Sequence, residues 1–276
     1  MKHITLNDNT TLPQFGLGVW QVANDIAERT VLTALDAGYR SVDTAAIYGN
    51  EEGVGAALAA TSVPRKDITV TTKLWNAEQG YDSTLRALEE SLRRLRLDYV
   101  DLYLIHWPVP KAGRYVDTWK AFTKIKADGL ARSIGVSNFN PAHIERLIAE
   151  TGIAPSVNQV ELHPAFSQKA LRAFHAKHGI ATEAWSPLGQ GKLLADATLA
   201  AIAKKHGKTP AQVVIRWHLQ LGNIVIPKSV TPARIAENIA VFDFALDADD
   251  LAAIATLDKG AAGRIGPDPE TFSMGL

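Results

Sequence analysis

The sequence contains no cysteine. Disulfides, thiolate metal sites and cysteine nucleophiles are thereby excluded, and the composition fits a reducing compartment. Charge of neither sign is in excess, with Lys+Arg and Asp+Glu both at 29. Without a basic field, no nucleic acid or anionic membrane partner is expected, so any anion site must be local. The opening MKHITLNDNT lacks the apolar stretch of a signal peptide. No apolar run approaches the roughly 18 residues that span a bilayer. A soluble, cytoplasmic protein is the expectation.

What is present is ordinary in bulk and ordered in detail. The chain has 276 residues, of which 46% are apolar and 21% charged. That length suits one large barrel domain as well as two smaller domains. HITLN and TLPQFG flank a DNT turn and predict an N-terminal hairpin. Short β-branched runs then alternate with amphipathic helical stretches, with Gly, Pro, Asn or Asp at nearly every junction. The strand candidates are 16–20, 41–45, 68–74, 99–106, 132–138, 156–162, 180–186 and 223–229.

Helix starts are marked by Pro141, Thr209-Pro210 and Thr231-Pro232, the threonines as capping hydroxyls. Eight strands each followed by helix, with right-handed crossovers, predict a (β/α)8 TIM barrel spanning 1–276 as one domain. Segments 195–206 and 247–258 exceed the repeat and predict two extra surface helices. The tail 259–276 is expected either over the barrel mouth or flexible. An open doubly wound sheet is the weaker alternative, because GLGVW is not completed to G-x-G-x-x-G and opens no helix.

A barrel collects its chemistry at the C-terminal strand ends. Those ends deliver Trp20, Asp43, Lys73, His106, Asn138, Gln159, Glu161, Trp185, Ser186, Lys228 and Ser229 to one rim. Asp101 lies five residues before His106, roughly 16 Å away at strand rise, and is expected to be structural. His163 is expected to make a structural hydrogen bond. His175, His178, His206 and His218 are expected at the surface or in packing.

Asp43 and Lys73 end neighbouring strands, about 4.8 Å apart, so each supplies the other's counter-charge. Alone, that would be a structural ion pair. Tyr48 and His106 converge on the same place and shift the interpretation toward catalysis. The Lys73 ammonium is expected to lower the Tyr48 pKa from its usual value near 10. An acidified phenol can protonate a carbonyl oxygen as that oxygen gains negative charge. None of these groups supplies electrons, so a reduced cofactor is required.

Residues 38–55, GYRSVDTAAIYGNEEGVG, resemble the signature of the aldo-keto reductase family. TTKLW (71–75), LIHWP (104–108), GVSNF (135–139), VNQVELHP (157–164) and IPKSVTPARIAEN (226–238) are similar to further motifs of that family. The likeness runs from Pro13 to about Phe244. AAIYGNEEGVG and WSPLGQGK are most similar to the bacterial branch containing 2,5-diketo-D-gluconate reductases.

The resemblance implies a catalytic tetrad of Asp43, Tyr48, Lys73 and His106, and NADPH as cofactor, with NADH serving less well. Ser137, Asn138 and Gln159 would hold the carboxamide, and Trp185 would stack on the ring where many relatives have tyrosine. Ser186, Leu188 and Gln190 would follow the pyrophosphate. Lys228, Ser229 and Arg234 surround a helix N-terminus suited to an anion such as a 2′-phosphate; Glu237 and Asn238 resemble adenine contacts. Trp20, Trp75 and Trp107 would wall a pocket for small aldehydes, ketones or keto-sugars. A monomer is expected, and no metal. A nicotinamide-binding regulatory subunit with negligible turnover is the alternative. A metal-dependent hydrolase using Asp43, His106 and Glu161 is disfavoured by Lys73 inside that cluster.

Overall fold

The computed structural model describes residues 2–275. The alternating N-terminal runs pair as a hairpin of β1 (His3–Thr5) and β2 (Thr11–Pro13). Its turn is made by Asp8, whose carboxylate accepts from the Thr10 backbone and hydroxyl. The first half of the barrel follows as β3 (Leu17–Gly18), α1 (Asn24–Asp36), β4 (Ser41–Asp43), α2 (Glu51–Ala60), β5 (Thr69–Leu74), α3 (Tyr81–Leu95), β6 (Val100–Ile105) and α4 (Tyr115–Ala127). The second half comprises β7 (Ala131–Ser137), α5 (Pro141–Thr151), β8 (Val157–Glu161), α6 (Lys169–Lys177), β9 (Ala181–Trp185), α7 (Ala197–His206), α8 (Pro210–Gln220), β10 (Ile224–Val225) and α9 (Pro232–Ile239). A last helix, α10 (Ala248–Ala255), ends the regular structure.

Strands β3 to β10 pair in parallel in chain order. The sheet closes where Phe15 bridges Val225 and Gly16 N–H donates to Val225 O at 2.9 Å. This is the expected (β/α)8 barrel. The end strands are shorter than their sequence runs, two paired residues each. At that seam a Cβ on Gly18 would lie 2.8 Å from Ile226 O, so only glycine permits the approach. Both expected extra helices are present as α7 and α10. His206 and Lys205 of α7 bind Asp250 of α10 at 2.7 and 2.8 Å.

The barrel interior divides into two layers. Below, Leu102, Leu104, Val157 and Ile224 pack with Leu6 and Leu12, so the hairpin plugs the floor. Each such buried aliphatic side chain contributes about 1.5–3 kcal/mol. Asp8 fastens the plug by accepting from Lys126, Ser133 and Ser156. Burial opposes its charge, but the Lys126 ammonium and the hydroxyls pull its pKa down to about 2. Asp101 also sits at this lower end, paired with Arg65 at 2.8 Å and Arg132 at 3.3 Å. Above the apolar layer the interior turns polar, and the chemistry begins there.

Among the local expectations, one changes, the capping role of Thr231. Thr209 does cap α8, accepting from Gln212 N–H while the Gln212 side chain accepts from Thr209 N–H. Thr231 makes no side-chain cap on α9; Ser229 Oγ instead accepts from Thr231 N–H at 3.2 Å. His175 and His218 are fully buried packing residues. His175 bridges Asn158 and Thr182 at 2.9 Å each, and burial holds its pKa down to about 4, so it is neutral.

Candidate active site

A cavity of about 680 Å³ opens at the C-terminal ends of the strands. Its floor holds Asp43 from β4 and, just past that strand, Tyr48. Lys73 of β5 rises beside them, wholly buried, its Nζ donating to Asp43 Oδ1 at 2.6 Å and to Thr44 O at 2.9 Å. The same ammonium lies 5.1 Å from the centre of the Tyr48 ring. His106, beyond the end of β6, sets its ring edge-on to Tyr48 with centroids 5.7 Å apart. All four side chains expected to act together are thus brought together.

Their electrostatics correct one expectation. Lys73 does pull the Tyr48 pKa down, but burial outweighs it and the net direction is up. Tyr48 is therefore a protonated phenol at neutral pH. Burial also opposes the charge on Lys73, yet Asp43 first, with Tyr48 and Glu183 wherever they ionise, outweighs it, so Lys73 stays protonated. His106 is driven well below its usual value, first by burial and then by the Lys73 charge. It is a neutral imidazole. Its Nδ1 is buried with no hydrogen-bond partner among the described residues. A proton on Nε2 leaves that buried nitrogen a bare lone pair rather than an unpaired N–H.

The wall beside the tetrad carries the amides. Ser137 Oγ donates to Gln159 O at 2.8 Å, and Gln159 Nε2 donates to Asp43 Oδ2 at 2.8 Å. Asn138 Nδ2 donates to His106 O at 3.0 Å, while Asn138 Oδ1 accepts from Trp185 Nε1 at 2.8 Å. That bond fixes the half-buried indole at the end of β9. Gln21, Asn138, Ser186 and Gln190 line the cavity, and all hold left-handed backbone, with φ between 46° and 64°. Such conformations cost energy and collect where a site needs a particular shape.

Other expected residues lie at varying distance from the cavity. Lys228 lines it and is exposed; Ser229 is buried; Arg234 is exposed on the first turn of α9. Neither cation enters an ion pair among the described residues. Leu188 packs against the apolar clusters instead of lining the cavity. Glu237 accepts from the Thr209 hydroxyl at 2.9 Å, and Asn238 is buried in α9. Trp20, Trp75 and Trp107 all line the mouth, Trp20 being 43% exposed.

Two contacts of the site escaped the sequence reasoning, the hold of Glu161 on the tail and the place of Glu183 beside Gln159. The tail crosses the mouth: Phe272 packs on Trp107 at 4.2 Å, and Met274 O accepts from Asn76 Nδ2 at 2.9 Å. Glu161, expected at the rim, accepts from Ile265 N–H at 2.6 Å and Gly266 N–H at 2.7 Å. Its third partner is His163 Nε2 at 2.9 Å, the structural bond expected of that histidine. Glu183 is the second omission. It is a buried carboxylate 3.0 Å from Gln159 Nε2. Strand alternation from Trp185 would have placed it facing the site.

The sequence pattern of the Aldo/keto reductase family matches residues 12–259, and the chain belongs to that family. An aldo-keto reductase of Mycolicibacterium smegmatis is 61% identical over 98% of each chain. The methylglyoxal reductase DkgA of Salmonella typhimurium is 54% identical over 98% of this chain and 97% of its own. Among solved structures, a mutant of Gox0644 in complex with NADPH superposes with a TM-score of 0.96. It is 56% identical and covers 99% of both chains.

The residues present fit a nicotinamide dinucleotide. A fixed indole face, hydrogen-bonding amides beside it and two cations near a helix start, without ion-pair partners among the described residues, match a flat amide-bearing ring at one end and an anion at the other.

Proposed function

We propose that the protein is an NADPH-dependent carbonyl reductase for small aldehydes, ketones and keto-sugars, with Tyr48 as general acid. The observation that carries this is the buried Lys73–Asp43 pair, 2.6 Å apart, beneath a half-buried tyrosine. Ser137, Asn138 and Gln159 would hold the carboxamide, and Trp185 would lie against the ring. Ser186, Gln190 and the backbone at Leu188 would follow the pyrophosphate. Lys228, Ser229 and Arg234 would take a 2′-phosphate, with Glu237 and Asn238 beside adenine. When bound, the cofactor supplies a hydride to the carbonyl carbon.

The chain's own residues supply the proton. Tyr48 gives its phenolic hydrogen to the carbonyl oxygen as charge develops there, leaving an alcohol and a phenolate. Lys73 stabilises that phenolate, and Asp43 keeps Lys73 charged and in place. Neutral His106 donates Nε2–H to the same oxygen and so fixes the carbonyl's orientation. Positioned proton transfer contributes about 10²- to 10⁴-fold. Trp20, Trp75 and Trp107 would shape an apolar vestibule for small substrates.

The likeness to a methylglyoxal reductase makes methylglyoxal the first substrate to test. Oxidation of NADPH, followed by its absorbance with methylglyoxal, diketones and keto-sugars, should show turnover, with NADH slower. Tight NADPH binding without turnover on any carbonyl would instead favour the regulatory-subunit alternative.

A further inference from the structure

The polar layer of the barrel holds one ammonium and two carboxylates. Gln159 Nε2 donates one hydrogen to Asp43 Oδ2 at 2.8 Å and the other to Glu183 Oε2 at 3.0 Å. Gln159 and Glu183 are register partners on β8 and β9. Lys73 spends its bonds on Asp43 and Thr44, so Glu183 has an amide but no cation as direct partner. Two ionised carboxylates sharing one amide in an enclosed space repel each other.

We propose that Glu183 is a positioning residue which, through Gln159 and the Asp43–Lys73 pair, sets the pH at which Tyr48 stops serving as an acid. This rests on the assignment of Tyr48 as the proton donor. The charged and titratable groups facing Glu183 are Asp43 on β4, Tyr48 after it and Lys73 on β5. β10 presents apolar Ile224 alongside. Burial, then the Asp43 charge, pushes Glu183 up to about 8.

At neutral pH Glu183 is therefore protonated, and the layer carries only the balanced Lys73–Asp43 charges. As pH rises through about 8, Glu183 ionises. The added negative charge opposes formation of phenolate at Tyr48 and holds the proton on Lys73. Tyr48 then remains a phenol, and a competent acid, to higher pH than Lys73 alone would allow.

The test compares the pH profile of kcat/KM for NADPH-dependent methylglyoxal reduction in the wild type and in Glu183→Gln. The variant keeps an acceptor for Gln159 but cannot ionise. Its basic limb should move down by about one pH unit, a roughly tenfold lower kcat/KM on the alkaline side. An active variant with an unmoved basic limb overturns the proposal. Glu183→Thr serves as the second variant if Glu183→Gln does not fold.

Infrared titration of the wild type without cofactor provides a readout independent of turnover. A protonated-carboxyl band should be present at pH 7 and vanish with a midpoint near 8; its absence at pH 7 also overturns the proposal. Failure of the reductase assignment itself would look different, as a wild type without turnover or a Tyr48→Phe enzyme that keeps it.

Discussion

Glu161 and Gly266 stand 105 residues apart in the chain and meet at 2.7 Å, the carboxylate accepting from the backbone N–H. Gly266 lies so close to the indole of Trp185 that a Cβ there would be 2.5 Å from it. Glu161 therefore holds the tail against the indole proposed to lie on the nicotinamide. Glu161→Leu should free the tail, and limited proteolysis at neutral pH should then cut within 259–275 in the variant but not in the wild type. Burial opposes the Glu161 charge, but His163 and the two N–H donors outweigh it and lower its pKa. The anchor is thus complete above the unfolded value of about 4.3 and is lost only as pH falls through the lower folded value. Equal protease resistance of the two proteins at pH 7 would contradict this role.

The Lys73–Asp43 pair should behave as a buried unit. Removing one partner leaves the other charge uncompensated, at a cost of about 3–5 kcal/mol. Lys73→Met and Asp43→Asn should each lower stability strongly in urea unfolding. The double variant should recover most of that loss without recovering turnover. Additive losses in the double variant would show that the two charges do not depend on each other.

His106 is neutral in the folded protein because burial and Lys73 suppress its protonation. As pH falls through about 6.5, an unfolded chain takes up the proton first, so the folded protein loses stability on the acid side. For catalysis the consequence is a flat region. The kcat/KM for reduction should not fall between about pH 7 and 6 through His106. A titration near 6.5 that disappears in His106→Gln would contradict a neutral imidazole.

Arg234 is exposed on the first turn of α9 and has no ion-pair partner among the described residues. Charge-assisted hydrogen bonds contribute about 1.5–3 kcal/mol. Arg234→Ala should therefore raise the KM for NADPH by roughly 10- to 100-fold while leaving that for NADH nearly unchanged. Equal effects on both cofactors would remove Arg234 from the 2′-phosphate site.

Much of this arrangement was legible in the sequence because strand ends are local features. Asp43, Lys73 and His106 could be placed on one rim by counting along runs of β-branched residues. The barrel followed from the same rhythm. What was not legible depends on distant chain or on burial. Nothing in KGAAGRIGPDPETFSMGL announces that Glu161 will hold it across the mouth. The Tyr48 pKa was expected to fall because a neighbouring charge can be inferred from spacing, whereas desolvation cannot. Glu183 was hidden for a related reason. Alternation puts it on the site face and the β8–β9 register sets it beside Gln159, but only the closed barrel brings Asp43 of β4 to the same amide.

Replacement of Tyr48 by phenylalanine removes one oxygen and the proton it carries. The measurement is the rate of NADPH oxidation with methylglyoxal in single turnover, alongside NADPH affinity by fluorescence. Tyr48→Phe should cut the rate by about 10²-fold or more while leaving the affinity within a few-fold. Turnover at the wild-type rate in Tyr48→Phe would contradict the mechanism.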